Sequence, residues 1–242
     1  MAALDVALLR NNLKKAETSI SIRLFLPKIT TTNSNQKLPL LVYFHGRGFC
    51  IETPCSPTYH DNVSSLISKA NLVAVSVDYR KASEHVVPTA HNDSWAALQL
   101  VASHVKGEGS ESWQNLYADL DRVFMAGDSA GANITRNMAL RAMETPLEGI
   151  KIVGLALIHL YLSGNEAANS ELSYPDVAAN AQKLWSLVVC LGNCNNHPLL
   201  HSAISDLNLE RFPCKRVPMC IAEKDTLRDR GLLYFKILKE RG

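Results

Sequence analysis

The pentapeptide Gly127-Asp128-Ser129-Ala130-Gly131 constrains this chain more than any other stretch. It follows the short apolar run Val123-Phe124-Met125-Ala126 and leads into Ala130, Ile134 and Met138 at helical spacing. A serine between glycines at a strand-to-helix turn reads as a nucleophile elbow. The turn strains the serine backbone, and side chains two residues to either side would collide with the crossing strand and helix, hence Gly127 and Gly131. Ser129 Oγ then stands exposed at a strand end. The Ala130 amide lies beside it at a helix N-terminus, where a developing oxyanion meets a donor. A tight turn carrying an ordinary surface serine fits the five residues equally well, so the surrounding sequence has to decide.

That sequence alternates strands with helices. Ser19 to Leu26 places Ile20, Ile22, Leu24 and Leu26 on one side and polar residues opposite, as in a half-buried strand near a sheet edge. Leu38–Phe44, Leu72–Val77, Val123–Ala126, Ile150–Ile158 and Pro218–Ala222 are nearly continuous apolar runs, the pattern of strands covered on both faces. Trp95, Leu98, Val101, Ala102 and Val105 form a helical stripe, and Thr226-Leu227-Arg228-Asp229 resembles a capping box opening a helix. The rhythm predicts an α/β fold with a mostly parallel central sheet flanked by helices. Residues 160–211, polar, rich in Asn and Ser and carrying Trp185, break it. They read as an insertion at the place of a lid within one domain spanning 1–242.

The chain has 242 residues, 47% apolar and 20% charged, with a net charge of +2. That balance gives no electrostatic case for nucleic acid or an anionic membrane, and no run is long enough to span a bilayer. No basic region precedes the mildly apolar Ala2–Leu9, so a signal peptide is not expected and a cytoplasmic location is, with the nucleus as a second compartment. Cys190 and Cys194 near His197 and His201 do not match a zinc spacing, and no metal or cofactor is expected. The remaining cysteines read as reduced thiols. A glycan on the sequon asparagine Asn133 would not fit behind the elbow.

Two further segments suit the elbow. His45-Gly46-Arg47-Gly48-Phe49, directly after a strand, can turn backbone amides toward the serine. Asp225, directly after the run Pro218–Ala222, can orient a histidine and stabilise its cation. The order glycine-rich loop, Ser, Asp is that of the α/β hydrolases.

The stretches LPLLVYFHGRGFCIE, VAVSVDYRKASEH, DSWAALQLVASH, DRVFMAGDSAGANI and AEKDTLRDRGLLYFKILKE together resemble the plant carboxylesterase family of the hormone-sensitive-lipase class, which also includes the gibberellin receptors and the hydroxyisoflavanone dehydratases. The resemblance implies an α/β-hydrolase fold and hydrolysis of small-molecule carboxylic esters. It implies Ser129 as nucleophile, Asp225 as triad acid, and the amides of Gly46, Arg47 and Ala130 as the oxyanion hole. His45, Gly48, Gly127, Asp128 and Gly131 support the motifs. Asp229 competes with Asp225, but its capping-box position gives it a structural role.

The chain also departs from the family. Arg47 stands where the family has glycine, which costs about 1–2 kcal/mol if the position needs φ > 0. Its side chain points either across the acyl pocket or to solvent. No histidine follows Asp225 up to Gly242, where the family carries its triad base. The fold is therefore expected to be truncated, its final strand and helix missing and Pro218–Ala222 left as an edge strand. His159 follows a strand near the lid and can approach the site, while His197 and His201 lie in the insertion. None is expected to replace the base, which has to reach both Ser129 and Asp225. Three readings stay open: an esterase, a receptor-like binder of a small ester or carboxylate without turnover, or an inactive truncated product.

Overall fold

Leu40, Val42 and Phe44 point to one face of their strand and Leu41 and Tyr43 to the other, and both sets are buried. Strand alternation therefore feeds two separate cores, which is why the run reads as continuously apolar. In the computed structural model, which describes residues 7–15, 18–27, 37–105, 112–189, 197–201 and 212–241, these strands build one seven-stranded sheet.

The strands are β1 (Ala7–Lys15), β2 (Thr18–Leu26), β3 (Leu38–Phe44), β4 (Val73–Asp78), β5 (Ala118–Asp128), β6 (Ile152–Ile158) and β7 (Met219–Cys220). Their spatial order is β1-β2-β4-β3-β5-β6-β7. β1 pairs with β2 and β2 with β4 antiparallel; every pairing from β4 to β7 is parallel. β2 is thus one strand in from the edge, because β1 lies outside it. The segment Ala7–Lys15 carries no strand alternation, so β1 is not expected from its residues. Among the described residues β7 closes the opposite side, where Pro218–Ala222 is expected.

α1 (Pro57–Ala70) covers the face of Leu41 and Tyr43, contributing Tyr59, Val63 and Ile67. It starts with Pro57 in its first turn and stops at Asn71, whose left-handed backbone (φ 49°) returns its N–H to the Ile67 carbonyl. α2 (Thr89–Ala102) and α4 (Ala130–Glu144) cover the other face with Trp95, Leu98, Val101, Ile134 and Met138. A short α3 (Ser112–Tyr117) precedes β5. α2 is pinned by Asp93, a buried carboxylate that receives the Arg80 backbone amide at 2.9 Å and both arms of its guanidinium at 2.8 and 2.9 Å.

Beyond β6 the chain forms α5 (Asn169–Ser173) and α6 (Pro175–Val188) before reaching β7, and α7 (Arg228–Arg241) follows. Trp185 of α6 stacks on Tyr161 with ring centroids 3.5 Å apart and meets Phe49 edge-on. The expected lid segment therefore rests on the glycine-rich loop. Its stretches 190–196 and 202–211, Cys190 and Cys194 included, lie outside the described residues. No helix among the described residues is long and apolar enough to cross a membrane, and no cluster of metal-ligating side chains occurs among them.

Candidate active site

β5 runs into α4 through Ser129, which has φ 51° and ψ −112°. A non-glycine residue holds this sparsely populated conformation only where its surroundings over-determine it, and here they do. The Ser129 N–H donates to the Ile158 carbonyl at 2.8 Å. Its carbonyl accepts the first helical bond from Asn133 at 3.0 Å and a second bond from the Tyr161 N–H at 3.2 Å. The flanking glycines are sterically required. A Cβ on Gly127 would overlap the Gly131 backbone, and one on Gly131 would overlap the Phe44 carbonyl at the end of β3. Ser129 is half-buried and Ala130 fully buried, at the positive end of the α4 dipole.

The glycine-rich loop turns at three consecutive positive φ angles, Arg47 (65°), Gly48 (66°) and Phe49 (61°). Arg47 therefore occupies the left-handed conformation that the sequence raised as a cost, and its side chain is exposed. His45 is buried flat against Tyr79, with centroids 4.3 Å apart and 13° between the planes. The Tyr79 hydroxyl donates to the His45 carbonyl at 2.7 Å. Desolvation, with Lys81 nearby, holds the His45 imidazole down at about 3, so it is neutral and structural.

Gly46 requires a correction. Its N–H, expected among the oxyanion donors, donates instead to Tyr59 Oη at 2.9 Å. Tyr59 in turn donates to Asp128 Oδ2 at 2.8 Å, and Tyr43 donates to Asp128 Oδ1 at 3.1 Å. A Cβ on Gly46 would overlap the Asp128 carboxylate, so glycine is needed there for close approach rather than for its amide. Asp128, expected only as motif support, is the link between elbow and loop. Tyr43 and Tyr59 were not anticipated. A tyrosine on a strand and another on a helix carry no sequence mark that they meet one carboxylate.

Asp225 lies just past β7. Its Oδ1 accepts the Leu227 N–H at 3.0 Å, and its Oδ2 lies 3.2 Å from His159 Nδ1. That second contact has ion-pair distance without hydrogen-bond alignment. The competing acid Asp229 is held elsewhere, accepting from the Ser170 amide at 2.9 Å and pairing with Arg228 at 2.8 Å. The first of these bonds ties α7 to α5. Ser170 Oγ in turn donates to the Thr226 carbonyl at 2.7 Å.

Other histidines are held by their own neighbours. His91 binds Asn133 at 2.9 Å, the His104 ring lies 2.8 Å from the Leu100 carbonyl, and His197 Nδ1 receives the Leu199 amide at 3.3 Å. Asn133 is fully buried and also donates to the Tyr161 and Leu199 carbonyls, leaving no room for a glycan. A cavity of about 390 Å³ opens between the segment that follows β6 and the start of α7, with neither Ser129 nor Asp225 among its lining residues. Tyr161 and Trp185 line one side, and Thr226 and Leu227, the residues following Asp225, line another.

Known proteins resemble this chain over most of its length. A family model described as alpha/beta hydrolase fold matches residues 41–242. The chain is 40% identical over 233 residues to a probable carboxylesterase 13 of Arabidopsis thaliana, covering 92% of this chain and 71% of the relative. It is 38% identical to a probable mitochondrial carboxylesterase 4 of the same plant and 35% identical to a chloroplastic tuliposide A-converting enzyme 1 of Tulipa gesneriana. Each of these two alignments covers 93% of this chain, which spans only 61% and 57% of the respective relative. Among solved structures, an esterase of Pyrobaculum calidifontis superposes with TM-score 0.79 at 27% identity, covering 98% of this chain and 72% of that one. A fungal esterase of Rhizomucor miehei superposes with TM-score 0.82 at 23% identity, covering 98% and 71%, and so speaks for the fold. The chain belongs to the plant carboxylesterase family of the α/β hydrolases.

Proposed function

We propose that this chain is a serine carboxylesterase acting on small-molecule carboxylic esters, with Ser129 as nucleophile. The observation that carries the reading is the backbone of Ser129, strained at φ 51° and ψ −112° on the first residue before α4. Strain of this kind persists where it serves a site. The Ala130 amide at the helix N-terminus and the Arg47 amide of the loop hold the oxyanion in this proposal. Gly46 is replaced in that role, since its own N–H is committed to Tyr59. Asp225 is the acid that orients a base. The cavity beside Tyr161 and Leu227 takes part of the ester, which the segment 160–211 covers as a lid within a single domain.

Covalent labelling with a fluorophosphonate tests this reading directly. Wild-type protein is expected to label and Ser129→Ala protein is not. An unlabelled wild type would remove the nucleophile from the proposal. A receptor-like alternative draws on one observation, the exposed Arg47 guanidinium at the loop, which suits a carboxylate ligand. Calorimetric titration with short carboxylates, read beside ester turnover, separates binding from catalysis.

A further inference from the structure

Arg136 of α4 is 2% exposed and forms no ion pair among the described residues. Its Nε and Nη1 have no hydrogen-bond partner. The Tyr234 ring covers one face of the guanidinium, its centroid 5.3 Å from Cζ, and Tyr234 Oη makes no aligned bond either. A ring face attracts the charge but takes none of the hydrogens in the guanidinium plane. Burial pushes Arg136 below its ordinary value, yet an arginine in a protein keeps its proton. α4 therefore carries a buried cation without a counter-ion, a costly arrangement unless something pairs it.

A second orphaned group stands beside it. His91 of α2 is also 2% exposed, and its Nε2 lies 2.9 Å from Asn133 Oδ1. The orientation of Asn133 is fixed, because its Nδ2 donates to the Tyr161 and Leu199 carbonyls, which can only accept. His91 Nε2 therefore carries the proton. Burial holds the imidazole down at about 4, so the ring is neutral and its Nδ1 is a bare acceptor, again without a partner. Asn133 and Arg136 lie three residues apart on one helix and are surface neighbours there. The charge of Arg136 is felt at His91.

Both residues line one cavity of about 400 Å³, between the start of α2, the latter part of α4 and Pro198–Leu199. That volume is within the range of small-molecule sites. Its charged residues are Arg136, Arg141 and Glu144, two cations against one carboxylate. Met138, Leu140 and Pro198 give it apolar wall, and neither Ser129, Asp225 nor the glycine-rich loop lines it.

We propose that this cavity binds a small hydroxycarboxylate. Arg136 takes the carboxylate, His91 Nδ1 accepts a hydrogen bond from the hydroxyl, and the hydrocarbon part lies against the apolar wall. A balance of one positive charge suits a monoanion and not a phosphate dianion. A bare carboxylate answers Arg136 but brings no donor for His91. The site is separate from the ester chemistry and stands whether or not Ser129 reacts.

Calorimetric titration of the whole chain with mandelate, which combines a carboxylate, a neighbouring hydroxyl and an apolar ring, tests the proposal. Saturable one-to-one binding is expected. Phenylacetate, which lacks the hydroxyl, should bind about tenfold more weakly, and inorganic phosphate more weakly than mandelate. Arg136→Met keeps similar volume and removes an unpaired buried charge, so it should melt no lower than wild type. It should bind mandelate more weakly by about tenfold or more.

Absence of mandelate binding in wild type, or equal binding in Arg136→Met, overturns the proposal. A variant that melts well below wild type would show the guanidinium to be paired within the fold, which also overturns it. Phenylacetate binding as tightly as mandelate, or phosphate binding more tightly, would overturn the ligand class.

Discussion

Tyr59 Oη lies 2.8 Å from Asp128 Oδ2 while receiving the Gly46 amide at 2.9 Å, so a single hydroxyl holds the glycine-rich loop against the elbow. Burial, reinforced by Asp128 beside it, pushes the Tyr59 phenol far up. The hydroxyl therefore keeps its proton and can donate to Asp128 while accepting from Gly46. Tyr59→Phe removes both bonds at once and leaves the Gly46 N–H without that partner. A loss of about 2 kcal/mol follows from leaving buried polar groups unpaired. Loosening the loop should cost roughly tenfold in kcat, less than removing an oxyanion donor outright. Urea unfolding and ester turnover on the same preparation check the two effects. Full stability together with full activity would show that the clamp is unimportant.

The conformation of Ser129 predicts a conflict between stability and function. Relieving a strained backbone of this kind is worth about 1–3 kcal/mol. Introducing glycine costs about 0.5–1 kcal/mol through the unfolded chain. The first term wins, so Ser129→Gly should be about 1 kcal/mol more stable than wild type and inactive. In a chain of this length that is a rise of about 2–4 °C in Tm. Calorimetry on the variant reads the result, and an unchanged or lower Tm would mean that the turn is not strained.

Arg47 shares the strain at lower magnitude. Left-handed backbone costs a non-glycine residue about 1–2 kcal/mol, and φ at Arg47 is 65°. Arg47→Gly should therefore gain up to about 1 kcal/mol after the entropy of glycine is subtracted. The N–H is retained and the guanidinium is exposed. Turnover of a small neutral ester should then change by less than about tenfold, equivalent to 1.4 kcal/mol. A larger gain would place the arginine side chain across the acyl pocket, one of the two orientations the sequence left open.

How far the sequence could be read depended on whether each feature is local. The elbow was legible because Gly127 and Gly131 answer to steric contacts within one strand-turn-helix unit and the strand that crosses it. Strands β3 to β6 were legible because burial on two faces writes continuous apolar runs. β1 was not, since the segment Ala7–Lys15 has no alternation to mark it. The Gly46 amide was assigned to the wrong partner because its acceptor sits on α1, outside the motif. The bond of Asp229 with the Ser170 amide was not legible, because its partner lies 59 positions upstream. His159 was visible only as a histidine after a strand. Its contact with Asp225 exists because β6 and β7 are neighbours in the sheet, an ordering that no local pattern records.

The two buried histidines predict how stability responds to acid. Desolvation, in each case the largest cause, lowers His45 to about 3 and His91 to about 4 from an ordinary value of 6.5. Above pH 6.5 both are neutral in the folded and unfolded chain, so neither contributes a pH dependence. Below 6.5 the unfolded chain takes up protons that the folded chain refuses, so stability falls as pH falls. The contribution of His91 levels off near pH 4 and that of His45 near pH 3. Each histidine contributes a slope of about 1.4 kcal/mol per pH unit inside its window. Between pH 6.5 and 5 the pair should therefore remove about 4 kcal/mol. Urea unfolding at pH 7, 6 and 5 measures the slope, and His91→Gln, which can still donate to Asn133, should remove about half of it. Exposed carboxylates contribute equally to both proteins, so the difference between the two slopes isolates His91. Parallel slopes would mean that this imidazole accepts a proton in the folded state, contrary to its burial against Asn133.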